Sequence, residues 1–241
     1  MPRFYCPQPL TIGAAIELPP PVAHHLLVLR TAIGSRITLF NGTGGEYTAI
    51  LTALDRKRGM ADIKTFSPRE AELPYAVKLV QGLPEAAKMD WIIEKAVELG
   101  AAAIQPLAAQ RSVVRLSAER AERKMTHWQA IVIAAAEQSG RNRLAHLAEP
   151  LSFGDWAAQR DLHLRVLLSP RAERSLSEWA RHHPPQPLSL AVGPEGGFTT
   201  AEEDSAAANG VLLLSIGTRV LRTETAGLAA LAALNALWGE M

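Results

Sequence analysis

The sequence lacks most features that would place it in a specialised class of protein. Of its 241 residues only Cys6 is a cysteine, so no disulfide can form within the chain, and this composition fits a reducing compartment. No apolar run reaches the roughly 18 residues that a membrane span requires. Prolines occupy the N-terminal segment where a signal peptide would need an apolar centre. We therefore expect a cytoplasmic protein without a membrane segment.

An excess of charge of one sign is also lacking. The 25 Lys and Arg residues nearly balance 24 Asp and Glu, which gives a net charge of +1 and does not by itself indicate a nucleic-acid partner. The distribution is less even, because basic residues outnumber glutamates between Arg111 and Arg143. This zone could bind phosphate groups or could be an ordinary solvated helix face.

Several catalytic motifs are missing as well. The histidines follow no metal-ligand spacing and one cysteine cannot form a zinc cluster, so we expect no metal. The segment Gly193–Gly197 (GPEGG) matches neither the dinucleotide fingerprint nor the phosphate-binding loop. No G-x-S-x-G nucleophile motif is present. These absences argue against a Rossmann dehydrogenase, a P-loop NTPase, a hydrolase and a metalloenzyme.

The residue pattern of the N-terminal part predicts β-structure. Two alternating apolar runs in Arg36–Leu51 flank Asn-Gly-Thr-Gly-Gly, a pattern typical of a hairpin, and Met60–Phe66 predicts a further strand. Short strands without a long helix favour a small barrel. The polar, proline-bounded segment Ser67–Pro74 is the predicted linker.

From Tyr75 onward, strands alternate with helices. Strands are predicted at 76–81, 101–106, 164–168, around 190 and from 211, and helices at 90–99, 117–139, 177–182, from 200 and from 223 or 225. Gly100 is placed to end one helix, Ser117 to cap the next, and Thr200–Glu203 to form a capping box. The alternation predicts an α/β fold with a mostly parallel sheet covered by helices.

Two buried strands run into polar loops. LSLAV (188–192) is followed by GPEGGF, and VLLL (211–214) by SIGTRVLRTETA, which leads into an apolar helix. Because open α/β sheets bind ligands at the carboxyl ends of their strands, these loops predict a small-molecule site. Thr223 or Thr225 is a plausible helix N-cap, but capping does not require Arg222.

The final helix, Ala226–Trp238, is apolar nearly all round. Such a helix is expected to be buried on every side. Burial in a dimer interface or beneath another part of the chain would explain it, and a plain core helix is the alternative.

These motifs together resemble the SPOUT methyltransferases, and more narrowly the RsmE family, which methylates N3 of a uridine in 16S ribosomal RNA. The resemblance runs through most of the chain. It rests on His24 with Val28-Leu29-Arg30, Leu39–Gly42, residues 88–100, Gln110-Arg111-Ser112, residues 135–143, GPEGGF (193–198) and IGTRVLRTETA (216–226).

The resemblance implies an RNA-binding, PUA-like β-barrel over residues 1–70 and a methyltransferase domain with a deep trefoil knot over 74–241. It also implies a homodimer acting on the small ribosomal subunit, with S-adenosylmethionine as cofactor. The implied cofactor residues are Leu168, Ser169, Pro170, Gly193, Glu195, Gly196, Gly197, Ile216, Gly217, Val220, Leu221, Arg222, Thr223, Thr225 and Ala226. The candidate RNA contacts are Arg3, His24, Arg30, Arg111 and Arg115.

Methylation at N3 would require loss of the N3 proton and stabilisation of the charge that spreads to O2 and O4. Arg222 or Arg141 is the candidate for stabilising that charge, and Glu137 or Glu224 for accepting the proton. Two other functions remain open at this point: a non-catalytic RNA-binding or ribosome-assembly factor with the same fold, and a related methyltransferase acting on tRNA or on ribose.

Overall fold

The computed structural model describes residues 1–56, 58–114, 118–159 and 163–239. The chain divides into two compact units. The first comprises Met1–Glu72 and Ala136–Leu144, and the second Leu73–Ala135 and Ala145–Met241. Within the described ranges, no helix is long and apolar enough to cross a membrane.

The first unit is built on a five-stranded sheet. Its elements are β1 (Arg3–Tyr5), β2 (Ala15–Glu17), α1 (Pro20–Val28), β3 (Arg36–Phe40), β4 (Glu46–Leu54) and β5 (Gly59–Ser67). The strand order is β1-β3-β4-β5-β2, and each pairing is antiparallel except β1 with β3. The hairpin predicted over Arg36–Leu51 is confirmed as β3 and β4, because alternating apolar residues bury one face of the pair.

The segment 136–144 belongs to the first unit, although its sequence continues a helix of the second. Polar contacts hold it there. The Arg3 side chain donates to the carbonyl of Arg141 at 2.9 Å and also bonds Asn142. Arg141 in turn donates to Glu72 at 3.0 Å. The predicted linker is therefore engaged at its end by a buried ion pair.

The second unit is a parallel sheet covered by helices. Its elements are β6 (Val77–Gly82), α2 (Ala86–Glu98), β7 (Ala103–Ala108), α3 (Ala118–Ser139, whose last turn belongs to the first unit), β8 (His146–Leu147), β9 (Leu151–Ser152), α4 (Phe153–Ala158), β10 (Leu164–Leu168), α5 (Leu176–Arg181), β11 (Leu188–Val192), α6 (Thr200–Ala208), β12 (Leu212–Leu214) and α7 (Thr223–Leu237).

The sheet order is β12-β10-β11-β6-β7-β8, with β9 also on β7, and every described pairing is parallel. The central strand β11 is buried at all five positions, as expected for a strand covered on both faces. The predicted fold class, an α/β parallel sheet with a small N-terminal β unit, is confirmed.

Two predicted helix caps were wrong by one or more residues. The capping box of α6 begins at Thr199, whose hydroxyl accepts the Glu202 N–H while the Glu202 carboxylate accepts the Thr199 N–H. Helix α7 has Arg222 at its N-cap position and no side-chain cap, so neither Thr223 nor Thr225 caps it. The predicted cap Ser117 lies outside the described residues.

Helix α7 buries one face within its own unit. Leu228, Leu231 and Leu234 are buried, whereas Ala236 is exposed, so the expectation of burial on every side is wrong for the single chain. The buried Asn235 accepts the Tyr75 hydroxyl at 3.0 Å and donates to the Leu99 carbonyl at 2.9 Å. Those bonds satisfy a polar group on an otherwise apolar face.

Candidate functional site

Three loops meet at one edge of the parallel sheet. They follow the adjacent strands β10, β11 and β12, so their polar residues come together at the carboxyl ends of these strands. The loops border a cavity of about 580 Å³. This volume lies within the range of small-molecule sites.

The glycine loop after β11 (Gly193–Gly197) is tightly packed on one side and open on the other, and the loop after β12, which contains Gly217, is open as well. A Cβ on Gly82, at the end of β6, would lie 2.5 Å from the Pro194 nitrogen. Gly197 and Gly217 have positive φ angles of 66° and 109°, and a Cβ on either would meet no atom within 4 Å. Glycine at these positions permits both the turn and a close approach of a ligand to the backbone.

A hydrogen-bond relay joins three elements at the cavity. The Gln81 amide donates to Thr223 Oγ1 at 2.9 Å, and Thr223 Oγ1 donates to the Gly193 carbonyl at 2.5 Å. The relay ties β6 and the first residue of α7 to the glycine loop. Gln81 was not among the residues predicted from the sequence, because a single glutamine near the end of an apolar strand carries no recognisable signal.

A cation and a carboxylate face each other beside the glycine loop. Lys88 Nζ donates to Glu195 Oε1 at 2.7 Å, and the Glu85 N–H donates to the same oxygen at 3.1 Å. Partial burial alone would raise the pKa of Glu195, but the hydrogen bonds from Lys88, from its own backbone N–H and from Glu85, together with the positive charge of Lys88, outweigh burial and lower the pKa. The hydrogen bond to Glu195 raises the pKa of Lys88. Both groups are therefore charged at neutral pH.

A second ionic group lies under the loop that follows β10. Glu203 is only 4% exposed; it accepts the Ser169 hydroxyl at 3.0 Å and Arg171 Nε at 3.0 Å. The predicted Ser169 is thus held by a glutamate from α6. Neither Glu203 nor Arg171 was among the sequence-predicted site residues.

The segment after β7 contacts the glycine loop that follows β11 and also helix α6. The Arg111 guanidinium donates to the Gly196 carbonyl at 2.8 Å, and the Gln110 N–H donates to Glu202 at 2.8 Å. Arg111, predicted as an RNA contact, is therefore also a lining residue of the cavity.

The structure brings all but one of the predicted cofactor residues to this cavity. The exception is Thr225, which is exposed on the first turn of α7 and is not a described lining residue. The lining includes Leu168, Ser169, Pro170, Gly193, Glu195, Gly196, Gly197, Ile216, Gly217, Val220, Leu221, Arg222, Thr223 and Ala226.

The three predicted catalytic residues lie in different units. Arg222 lines the cavity and is exposed, and its guanidinium has no bonded partner among the described residues. Arg141 belongs to the first unit, where it is 2% exposed and ion-paired with Glu72. Glu137 accepts the Tyr5 N–H at 2.8 Å in the same unit. Burial raises the pKa of Glu137 despite that hydrogen bond.

The predicted RNA contacts in the first unit differ in whether their side chains are bonded to other residues or exposed. The guanidinium of Arg3 is engaged by Glu46 and Asn142. His24 and Arg30 are exposed on and just after α1. Arg30 has a φ of 53°, the only positive φ of a non-glycine residue in the described chain. The fifth candidate, Arg115, lies outside the described residues.

A cavity at the carboxyl edge of a parallel sheet, lined by apolar and charged residues and bordered by a glycine loop, defines a cofactor-binding α/β domain. No group of three or more His, Cys, Asp or Glu that could hold a metal ion occurs in the part of the chain that the structure describes.

Comparison with known proteins narrows this class. The family model of the RNA methyltransferase domain matches residues 71–235, and that of the RNA methyltransferase PUA domain matches 18–63. The chain is 36% identical to a ribosomal RNA small subunit methyltransferase E from Synechocystis over 94% of this chain and 74% of that protein. It is 34% identical to the one from Bacillus subtilis, with 88% and 86% covered.

Solved structures agree with these matches. A ribosomal RNA small subunit methyltransferase E from Neisseria gonorrhoeae, bound to S-adenosylmethionine, has a TM-score of 0.92 and 38% identity over 99% of this chain and 98% of that one. A Legionella pneumophila protein described as a methyltransferase, with the same cofactor bound, has a TM-score of 0.91 and 35% identity, with 97% and 96% covered. The chain belongs to the ribosomal RNA small subunit methyltransferase E family of RNA methyltransferases, as the motif resemblance predicted.

Proposed function

We propose that this protein transfers a methyl group from S-adenosylmethionine to N3 of a specific uridine in the 16S RNA of the small ribosomal subunit. The cavity formed by the loops after β10, β11 and β12 is the observation that carries the proposal. Relatives of known structure with TM-scores above 0.9 hold S-adenosylmethionine, and their matched chains extend over the whole of this one.

The residues of the cavity suit the cofactor. Leu168, Ile216 and Leu221 supply apolar surface for a purine ring, while the open backbone at Gly197 and Gly217 allows close approach. Ionic groups at Glu195 and Glu203 give the cavity the polar character that a ribose and an amino-acid tail require. When bound, the cofactor supplies an activated methyl group, and the protein supplies alignment and electrostatics.

Within this proposal, Arg222 stabilises the negative charge that develops on the uracil oxygens. It lines the cavity and its guanidinium has no bonded partner in the described chain, so it is available to a ligand. Arg141, the alternative, already donates to Glu72, which makes Arg222 the stronger candidate. A carboxylate must accept the N3 proton, because an arginine stays protonated. Glu137 and Glu224 remain the two candidates.

We further propose that residues 1–70 form the RNA-binding domain and 74–241 the methyltransferase domain. His24 and Arg30 are exposed and can meet phosphate, and the exposed Arg111 keeps further donors beside its bond to the Gly196 carbonyl; Arg3 and Arg115 are the other candidates. The proposed working form is a cytoplasmic homodimer, supported by the partly exposed alanine face of α7.

Mass spectrometry of ribosomal RNA from a strain lacking this protein tests the proposed function. Loss of one N3-methyluridine, restored by the wild-type protein and not by Arg222→Ala, is the expected result. Unchanged small-subunit RNA would point to a non-catalytic RNA-binding factor. Loss of a methyl group from tRNA or from a ribose would point to a related methyltransferase.

A further inference from the structure

A second, shallower cavity adjoins the cofactor cavity. It measures about 300 Å³ and is lined by Ala87, Lys88, Trp91 and Glu224. Lys88 and Glu224 also line the cofactor cavity, so the two cavities share a wall. A group held in the second cavity would lie next to one held in the first.

Trp91 forms the apolar side of this second cavity. Its side chain is 46% exposed on α2, whereas the other four tryptophans of the chain are at most 9% exposed. An exposed indole beside a cofactor cavity is a platform on which a nucleobase can stack, an interaction that unpaired bases commonly make with aromatic side chains.

Glu224 supplies an unused acceptor on the shared wall. Its Oε2 atom is buried and has no hydrogen-bond partner among the described residues. A buried carboxylate oxygen without a donor is costly, and a ligand that donates a hydrogen bond removes that cost. Arg222, which also lines the cofactor cavity, is two residues from Glu224 and is the nearby cationic side chain without a bonded partner among the described residues.

We propose that the second cavity binds the target base, with the uracil ring on Trp91 and its N3–H donated to Glu224 Oε2. This assignment rests on the proposed function and extends it to the substrate. Uracil presents a donor at N3, which matches the unpaired acceptor of Glu224. Cytosine has a lone pair at N3 and would face the carboxylate without a proton, so Glu224 selects uracil over cytosine.

Fluorescence of the full-length protein with short single-stranded oligouridylate and oligocytidylate tests the assignment without any cofactor. Because Trp91 is the exposed tryptophan, oligouridylate should quench its emission and shield it from acrylamide. Trp91→Phe should remove this signal while retaining affinity. Trp91→Ala should weaken oligouridylate binding about tenfold, the scale of one base–aromatic stack.

Glu224→Gln tests the selectivity, because an amide can donate to the cytosine N3. The preference for oligouridylate should fall toward equal binding, whereas Glu94→Gln, a change at an exposed carboxylate on α2, the helix of Trp91, should leave it intact. Equal shielding by both oligonucleotides, or wild-type affinity in Trp91→Ala, would overturn the assignment. So would a change of oligomeric state in Trp91→Ala, measured by light scattering, which would make this surface a contact between copies.

The two proposals fail separately. If the wild-type protein methylates a ribosomal uridine but the oligonucleotide results are negative, the base pocket is wrong and the proposed function stands. If the oligonucleotide results are positive but no N3-methyluridine depends on the protein, the pocket stands as a uracil-binding site and the proposed function is wrong.

Discussion

Replacing Gly82 by alanine should damage the cofactor cavity through a single added methyl group. The Cβ would lie 2.5 Å from the Pro194 nitrogen, 2.6 Å from Pro194 Cδ and 2.9 Å from the Gly193 carbonyl carbon. Two of these neighbours are backbone atoms, so no side-chain rotation can relieve the clash. Either β6 or the glycine loop must move by at least about 0.5 Å.

The magnitude follows from the position of the clash. Inserting a methyl group into a packed interior costs about 1–3 kcal/mol. In a chain of this size, that corresponds to a fall in melting temperature of roughly 2–4 °C per kcal/mol. Because the displaced Gly193 carbonyl accepts from Thr223, the relay to α7 is disturbed as well. We expect the Kd for S-adenosylmethionine to rise about tenfold, which is 1.4 kcal/mol.

Calorimetric titration of the cofactor and thermal unfolding measure the two effects. Gly154→Ala is the matched control, because Gly154 lies in α4 and an added Cβ there meets nothing closer than 4.0 Å. It should stabilise the protein by about 0.5–1 kcal/mol through helix propensity and leave cofactor affinity unchanged. If Gly82→Ala bound the cofactor as tightly as the wild type, the close approach of β6 to the glycine loop would not be what shapes the cavity.

Three further changes test individual residues. Arg222→Ala should lower turnover about 100-fold, as loss of one charge-stabilising donor does, with less than a threefold change in cofactor Kd; unaltered turnover would contradict its role. Arg30→Gly should raise the melting temperature by a few degrees, since a left-handed conformation costs a non-glycine residue about 1–2 kcal/mol. The same change should weaken RNA binding in a filter assay. A lower melting temperature would show that the backbone at Arg30 is not strained. Burial raises the pKa of Glu137, so the folded chain holds this proton more tightly than the unfolded chain. The free energy of unfolding should therefore fall as pH rises from the ordinary glutamate pKa to the raised one, and urea titrations at several mildly acidic pH values should show this fall reduced in Glu137→Gln; identical pH profiles would rule it out.

Local patterns were sufficient to predict much of the fold. The hairpin of β3 and β4, the strands β6 and β10, and Gly100 after α2 all follow from residues within about ten positions of each other. Their signals are strand alternation, continuous apolar runs and a glycine with positive φ, which depend on neighbouring residues alone.

Features that depend on distant residues were predicted less well. The grouping of 136–144 with the first unit depends on Arg3 and Glu72, which lie far away in sequence. The periodicity of α3 continues through Ser139 and carries no mark of that change. The capping box of α6 was misplaced by one residue because Thr199 and Thr200 are adjacent and only the backbone conformation distinguishes them.

The order of residues along the chain was enough to show that polar, glycine-containing loops follow buried strands, and the motifs in those loops led to the methyltransferase family. How the loops form one cavity depends on the folded chain, because the strand order β12-β10-β11-β6 brings together segments from opposite ends of the unit. The Gln81–Thr223–Gly193 relay, the Lys88–Glu195 pair and the Trp91–Glu224 wall all join residues about 30 to 140 positions apart. Such contacts have no periodic signature, since they depend on which strands pair and not on any local preference.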